Sequence, residues 1–423
     1  MQRTKKAKKA QGTQKAQGTQ KAQPAQETNK AHKALTSPDQ PTAAKASLQM
    51  FAVSAPGLEE LLKEEITALG IRSAKVVSGG VAFGGNHKLL YRANLWSRIA
   101  SRVVVRVDEF HANSFHELER RANRVEWSRY LQPGQAVSFR VTCRKSRLYH
   151  SDAVAQRFAE AVVKQGGGVL LGAESESDFD PDAADPTAQL FVVRLVDDVC
   201  TISADSSGAL LHRRGYRQAV AKAPLRETLA AAMLAGSGWD PRSPLVDPMC
   251  GSGTIAIEAA LMARHIAPGL GRKFAFENWP AHDAAGWNAS LDDARNASLD
   301  EAPSPILASD RDAGAIEACR ANAKRAGVAA DMTVELRTLS EVEYPAPPGW
   351  AVTNPPYGLR VGEAGALRNL YAQLGKTVRT RAPGYHLALL SADKTLEAQL
   401  RRSLREVFRT TNGGIPVRLL ASE

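Results

Sequence analysis

The sequence predicts an α/β protein, with a mostly parallel, doubly wound sheet carrying an antiparallel edge strand at the C-terminal end and α+β units before it. Three observations predict this. After about His212, short apolar runs alternate with helical periodicities, the pattern of parallel strands joined by crossover helices. Before that point strands and helices occur without strict alternation, which fits α+β units. The chain has 423 residues, 43% of them hydrophobic, so two or three domains are expected rather than one core.

The first 45 residues repeat a polar hexamer, Lys9-Ala-Gln-Gly-Thr-Gln14 and Lys15-Ala-Gln-Gly-Thr-Gln20, loosely echoed by Lys21 to Gln26. So little apolar surface cannot offset the entropy of ordering, so a disordered tail is expected, either a loose phosphate-engaging arm or a solubilising segment. A strand-like run, Leu48 to Val53, opens the ordered part. Pro56 and Gly57 then start a helix with Leu58, Leu61, Leu62, Ile66 and Leu69 on one face, ending at Gly70. Strands follow at Lys75–Val77, Gly80–Phe83 and Val103–Phe110, with a helical stretch between the last two. A second block has strands near Ala136–Thr142 and Leu190–Val196, a helix over Ser151–Lys164, and an acidic, solvated loop from Glu174 to Asp185.

The alternating part begins with helix Pro224–Leu234, strand Leu245–Asp247 and helix Thr254–Arg264. It continues with strand Ile306–Asp310, helix Ala313–Ala326 and strand Thr333–Leu336, then strand Ala351–Thr353, helix Ala366–Arg379 and strand Tyr385–Ser391. Glu406–Thr410 and Pro416–Leu420, joined across Asn412-Gly413-Gly414, read as a closing hairpin.

Composition removes several classes of function. No run approaches about 18 consecutive apolar residues, so no membrane span is expected. The basic N-terminus lacks the apolar core of a secretory signal. Cys143, Cys200, Cys250 and Cys319 lie far apart without a C-x-x-C pair, so neither a disulfide framework nor a metal site is expected, and a reducing cytoplasm fits. The net charge of +11 points toward nucleic acid, but the tail carries ten Lys/Arg against Glu27 and Asp39, a net +8. The rest carries 45 basic against 42 acidic residues, so any nucleic-acid contact there must use local patches. One such patch is Arg140, Arg144, Lys145, Arg147, Tyr149 and His150, which reads either as a phosphate-contacting surface or as an ordinary solvated edge.

Three strand tips carry the chemistry. Asp247-Pro248-Met249-Cys250-Gly251-Ser252-Gly253-Thr254 turns the first strand of the alternating part into a helix, where doubly wound sheets bind ligands. Gly251 and Gly253 are expected to let backbone N–H groups approach a ligand closely. Asp310-Arg311 ends the second strand, and a carboxylate there suits a pair of ribose hydroxyls. The usual interval from the glycines to this acid is about 20 residues. Here Gly253 to Asp310 is 57, so an insertion near His265–Ser304 must fill the gap.

The third tip is the most specific. In Asn354-Pro355-Pro356-Tyr357-Gly358, the two prolines lock φ and carry no N–H, so neighbouring carbonyls point in a fixed direction. An aromatic amino group is a poor nucleophile because its lone pair is delocalised into the ring. The Asn354 side-chain oxygen and the Pro355 carbonyl could each accept one of its N–H bonds, freeing the lone pair for in-line attack on a sulfonium methyl. Tyr357 offers a face on which a base can stack.

These motifs, with Leu211 to Arg217, Ala223 to Glu227 and Phe274-Ala-Phe-Glu-Asn-Trp-Pro280, resemble the THUMP-domain class I RNA guanine-N2 methyltransferases. Within them the likeness is to the N-terminal half of the bacterial 23S rRNA enzyme, and it covers residues 48 to 418. The resemblance implies a ferredoxin-like domain over 46–110, a THUMP RNA-binding domain over 111–205 and a Rossmann-like methyltransferase domain over 206–423, after the 1–45 tail. It implies S-adenosylmethionine held at Asp247–Thr254 and Asp310, catalysis at Asn354–Tyr357, and a structured RNA substrate, rRNA ahead of tRNA. The insertion belongs to the same pattern. Many relatives place an acid after the third strand of the alternating part, against the cofactor adenine, whereas here that stretch is Arg337-Thr-Leu-Ser-Glu341. The amino-nitrogen chemistry also leaves adenine N6 open, and a non-catalytic RNA-binding factor is the rival of another class. Glu258 is expected to brace the cofactor turn, Arg213, Arg214 and Arg217 either face RNA or brace the domain junction, and a monomer is expected.

Overall fold

A computed structural model describes residues 47–166, 168, 170–174, 188–218, 225–357 and 364–422, with residues 170–174 described as backbone only. The tail over 1–45, most of the acidic loop, Pro224, which starts the expected helix, and Gly358 lie outside the described residues.

The N-terminal half is built from strands β1 (Leu48–Val53), β2 (Lys75–Val77), β3 (Gly80–Gly85), β4 (Arg102–His111), β5 (Val137–Arg144), β6 (Leu170–Glu174), β7 (Gln189–Val196) and β8 (Val199–Asp205). Helices α1 (Glu59–Ala68), α2 (His87–Trp96), α3 (Phe115–Ala122) and α4 (Ser151–Lys164) pack with them. In α1 the apolar face works as its spacing implies, with Leu62 and Ile66 fully buried. Side chains of Asn86 and Ser114 cap α2 and α3 by accepting the N–H of Leu89 and Glu117.

The α+β region that reads as one unit or two is joined by one sheet, in the order β2-β3-β1-β4-β8-β7-β5-β6. The join is β4 against β8, antiparallel, with Phe110 opposite Cys200 and Val104 opposite Asp205. A buried ion pair between Arg102 and Asp205 locks the same two strands.

The C-terminal half contains helix α5 (Glu227–Gly236), strand β9 (Leu245–Asp247), helices α6 (Thr254–Ala263) and α7 (Ala284–Asn296), strand β10 (Ile306–Asp310) and helix α8 (Ala313–Arg325). Strands β11 (Met332–Leu336) and β12 (Gly349–Thr353), helix α9 (Ala364–Arg381), and strands β13 (Tyr385–Ser391), β14 (Arg405–Asn412) and β15 (Ile415–Ala421) complete it. The sheet order is β11-β10-β9-β12-β13-β15-β14. The first five strands are parallel and β15 runs against its neighbours. The antiparallel strand expected at the edge therefore sits one place inside it, with β14 outermost. From β9 the chain winds one way through β10 and β11, then returns to start β12 on the other side. That reversal opens a crevice at the strand tips, where such sheets place ligands.

The insertion before β10 ties the halves together. Trp279 donates to the side-chain oxygen of Gln189 at 2.8 Å and meets Tyr130 edge-on at 5.1 Å. Tyr91 of α2 packs on Phe276 and on Trp287 of α7, and its hydroxyl accepts the N–H of Asp283. At Gly57 (φ +81) a Cβ would lie 1.8 Å from the Arg409 carbonyl oxygen on β14, so only glycine permits this contact between the halves. Among the described residues no helix is long and apolar enough to cross a membrane, and all four cysteines are free.

Candidate active site

The three strand tips meet in a cleft of about 790 Å³, within the range of a small-molecule site. Its floor is the turn after β9. Asp247, at the strand end, is buried and accepts from the Thr353 hydroxyl at 2.8 Å and the Met249 N–H at 3.3 Å. Burial pushes its carboxyl up to about 7, against the lowering effect of those two bonds, with Asp310 adding a smaller upward push. Asp310 ends β10, next to β9, and its two oxygens accept the N–H groups of Gly251 and Asp312, each at 3.0 Å. A carboxylate has about four acceptor positions, so each oxygen keeps one for a ligand.

The two glycines of the turn have different reasons to be glycine. Gly251 (φ +52) has open space where a Cβ would stand and lines the cleft. Gly253 (φ +86) does not line it, and a Cβ there would lie 2.4 Å from the Cys319 sulfur on α8. The expectation that both glycines clear room for a ligand is thus corrected for Gly253, which lets α8 pack under the turn. Pro248, Met249, Cys250, Ser252 and Thr254 also line the cleft, as does Arg311 beside Asp310.

The far wall is Asn354-Pro355-Pro356-Tyr357, at the tip of β12. The Asn354 side-chain oxygen is buried and accepts no hydrogen bond among the described residues. An unpaired buried acceptor costs free energy, roughly 1–3 kcal/mol, unless a ligand satisfies it. Tyr357 is partly buried, and its hydroxyl accepts from the Asn412 amide at 2.6 Å.

Sequence reasoning marked Arg337 to Glu341 only as lacking the acid that many relatives place there, and it missed the contribution of the closing hairpin. Arg337 to Ser340, following β11, form one side. Glu341 is not the missing acid, because its carboxylate accepts from the N–H and hydroxyl of Thr338, closing its own turn. Asn412, Gly413 and Ile415, which read only as a hairpin, form the rim with Leu370 and Gln373 of α9.

Behind the turn, Glu258 is fully buried on α6, one turn past Thr254. The Tyr216 hydroxyl donates to it at 3.0 Å, Arg214 lies at 3.5 Å and Arg98 at 4.0 Å. Arg214 also donates to the Arg98 carbonyl, while Glu65 of α1 accepts the Arg98 N–H at 2.7 Å. Arg217 pairs with buried Glu227 at 3.0 Å. Of the three arginines left open between RNA and the junction, Arg214 braces the junction through the Arg98 carbonyl, Arg217 pairs within the C-terminal half, and Arg213 is exposed. Outside the cleft lining, Arg144, Lys145, Arg147 and His150 are exposed and Arg140 is half-buried. The Tyr149 ring, 70% exposed, stands beside His150.

Residues 214–421 match the UPF0020 family, described as an RMKL-like methyltransferase domain. Residues 49–104 match the RlmL ferredoxin-like domain and 112–205 the THUMP domain. A Synechocystis protein, slr0064, provisionally named as an RNA methyltransferase, is 35% identical over 387 residues, covering 91% of this chain and 99% of its own. The crystal structure of SMU.472, provisionally a methyltransferase and complexed with SAH, is 30% identical with a TM-score of 0.77, covering 89% of this chain and 98% of that one. A Listeria monocytogenes protein, predicted to be an N6-adenine-specific DNA methylase, has the same identity and TM-score over 89% of this chain and 96% of its own. TrmN from Thermus thermophilus, 21% identical with a TM-score of 0.64, shares the fold over 88% of this chain and 98% of its own. On these grounds the chain belongs to the RlmL-like family of THUMP-containing methyltransferases, enzymes that draw their methyl group from S-adenosylmethionine.

Proposed function

We propose that this protein methylates the exocyclic N2 of a guanine in structured RNA, with 23S rRNA as the favoured target. One observation carries the amino-group chemistry: the buried oxygen of Asn354 at the cleft wall, without a partner among the described residues. The residues present fit the cofactor. Gly251 leaves open space, Asp310 keeps acceptor positions for hydroxyls, and Asp247 supplies a carboxylate for a ligand with net positive charge. Asp247 to Thr254, Asp310 and Arg311 would hold it, and when bound it supplies an electrophilic methyl on a sulfonium.

The chain's own groups then act on the acceptor. Asn354 Oδ1 accepts one N–H of the amino group and the Pro355 carbonyl the other, Pro356 keeps that carbonyl in place, and Tyr357 covers the face of the base. No strong base is needed, since the methylated nitrogen releases its proton to water. The THUMP domain supports RNA as the substrate, and Arg140, Arg144, Lys145, Arg147, Tyr149 and His150 are proposed to contact its backbone.

Digestion of 23S rRNA and tRNA transcripts after reaction with labelled cofactor should yield N2-methylguanosine from the rRNA. The name of the Listeria relative favours a second reading, methylation at adenine N6. N6-methyladenosine as the sole product would establish that reading and overturn guanine.

Thr353 gives a further expectation. Its hydrogen bond lowers the Asp247 pKa, so Thr353→Val should raise that pKa above about 7. A positively charged ligand prefers ionised Asp247, so cofactor affinity rises with pH through the carboxyl's titration and then levels off. Calorimetry from pH 6 to 9 should show that rise displaced to higher pH in the variant. Superimposable profiles would separate Asp247 from cofactor binding.

A further inference from the structure

Asn412 lies outside every motif of the methyltransferase region, in a turn that reads from sequence only as a place where the chain reverses. It is the last residue of β14 and is paired across the ladder with Ile415. The two residues between them, Gly413 and Gly414, have φ of +57 and +80, the left-handed conformation of both centres of a tight type I′ hairpin. Such a turn matches the strand twist and leaves its flanking residues little freedom. From this rigid tip the Asn412 amide donates to the Tyr357 hydroxyl at 2.6 Å, and both residues line the cleft.

Without this contact Tyr357 would be held by the locked φ of Pro355 and Pro356 and by the packing of its partly buried ring against the core, with nothing among the described residues fixing its hydroxyl. Its ring could then turn about its side-chain torsions. A stacking face must be held within about 10–20° to be useful, and a bond at the far end of the ring removes that freedom. Three residues back on the same strand, the Arg409 carbonyl sits against Gly57, where even a Cβ would collide, so the hairpin is itself backed by the N-terminal half.

We propose that Asn412 is a positioning residue for methyl transfer, holding the Tyr357 ring through its hydroxyl so that the target base stacks in one orientation. This rests on reading Asn354–Tyr357 as the acceptor loop. Asn412→Leu keeps the size of the side chain and removes the donor, while Tyr357→Phe removes the acceptor and keeps the ring.

Each variant should lose about tenfold in kcat/KM for RNA, and the double variant should lose no more than the worse single one. The dissociation constant for S-adenosylmethionine should stay within about twofold in all three, a pattern that general loosening of the fold would not produce. Unchanged kcat/KM in Asn412→Leu, or losses that multiply in the double variant, would overturn the proposal. So would a loss in Asn412→Leu that Tyr357→Phe does not share. Should Asn412→Leu fail to fold, Tyr357→Phe alone must still show the loss with cofactor affinity intact, and full activity there overturns it. Failure of the underlying reading would show elsewhere, as near-normal turnover in Asn354→Ala.

Discussion

Asn354→Ala is expected to lower kcat for methyl transfer by about a thousandfold while leaving the dissociation constant for S-adenosylmethionine within about twofold of the parent. The size follows from what the side chain does. Its oxygen is buried at the cleft wall without a partner among the described residues, so its placement is paid for in the folded state and its interaction is realised only with an acceptor present. An interaction made mainly as the amino nitrogen pyramidalises lowers the barrier, and its loss appears in kcat rather than in cofactor affinity. Asn354→Asp keeps an acceptor oxygen and should lose less than the alanine. Single-turnover transfer to RNA measured beside calorimetric cofactor binding checks this, and near-normal turnover in Asn354→Ala would sink the assignment.

The second large effect is on stability. Glu258→Ala should lower the unfolding free energy by about 3–5 kcal/mol, read by urea denaturation of the full chain. Removing the carboxylate leaves the Arg98 and Arg214 guanidinium groups buried with their shared counter-charge gone. Arg98 already bears a desolvation cost, since burial pulls its guanidinium down to about 10 even with Glu258 nearby. Tyr216 would lose its acceptor as well. Because α6 begins at the turn proposed to hold the cofactor, saturating S-adenosylmethionine should restore part of the loss by binding only the folded state. A change below about 1 kcal/mol would show that the buried cluster does not act as a unit.

Several features of the site were legible in the sequence because they are local. The turn at Asp247–Thr254, the acid at Asp310 and the Asn354–Tyr357 loop each end a short apolar strand, and strand tips of a doubly wound sheet converge by topology. The THUMP-containing methyltransferase architecture was carried by the same motifs, and the matches to family and relatives show it. Helix α7 escaped notice because its surface is largely polar: of its 13 residues only Trp287 and Ala294 are buried, too few to set a periodicity. Strand β8 was missed for the opposite reason, since its buried end includes the polar residues Ser203 and Asp205, which become interior only where β4 and β7 flank them.

The sequence by itself determined most of the strands and helices, above all the alternating ones after about His212, the residues at each strand tip and the chemistry those residue types suit. These follow from backbone preferences and side-chain patterning that act over a few residues. The tertiary structure alone decided who meets whom across long stretches of chain. It set Gly253 over Cys319, buried Glu258 between Arg98 and Arg214, joined β4 to β8, and brought Asn412 to Tyr357. Those contacts depend on which surfaces are removed from water together, and burial of that kind is a property of the whole packed chain, with no local signature to read in advance.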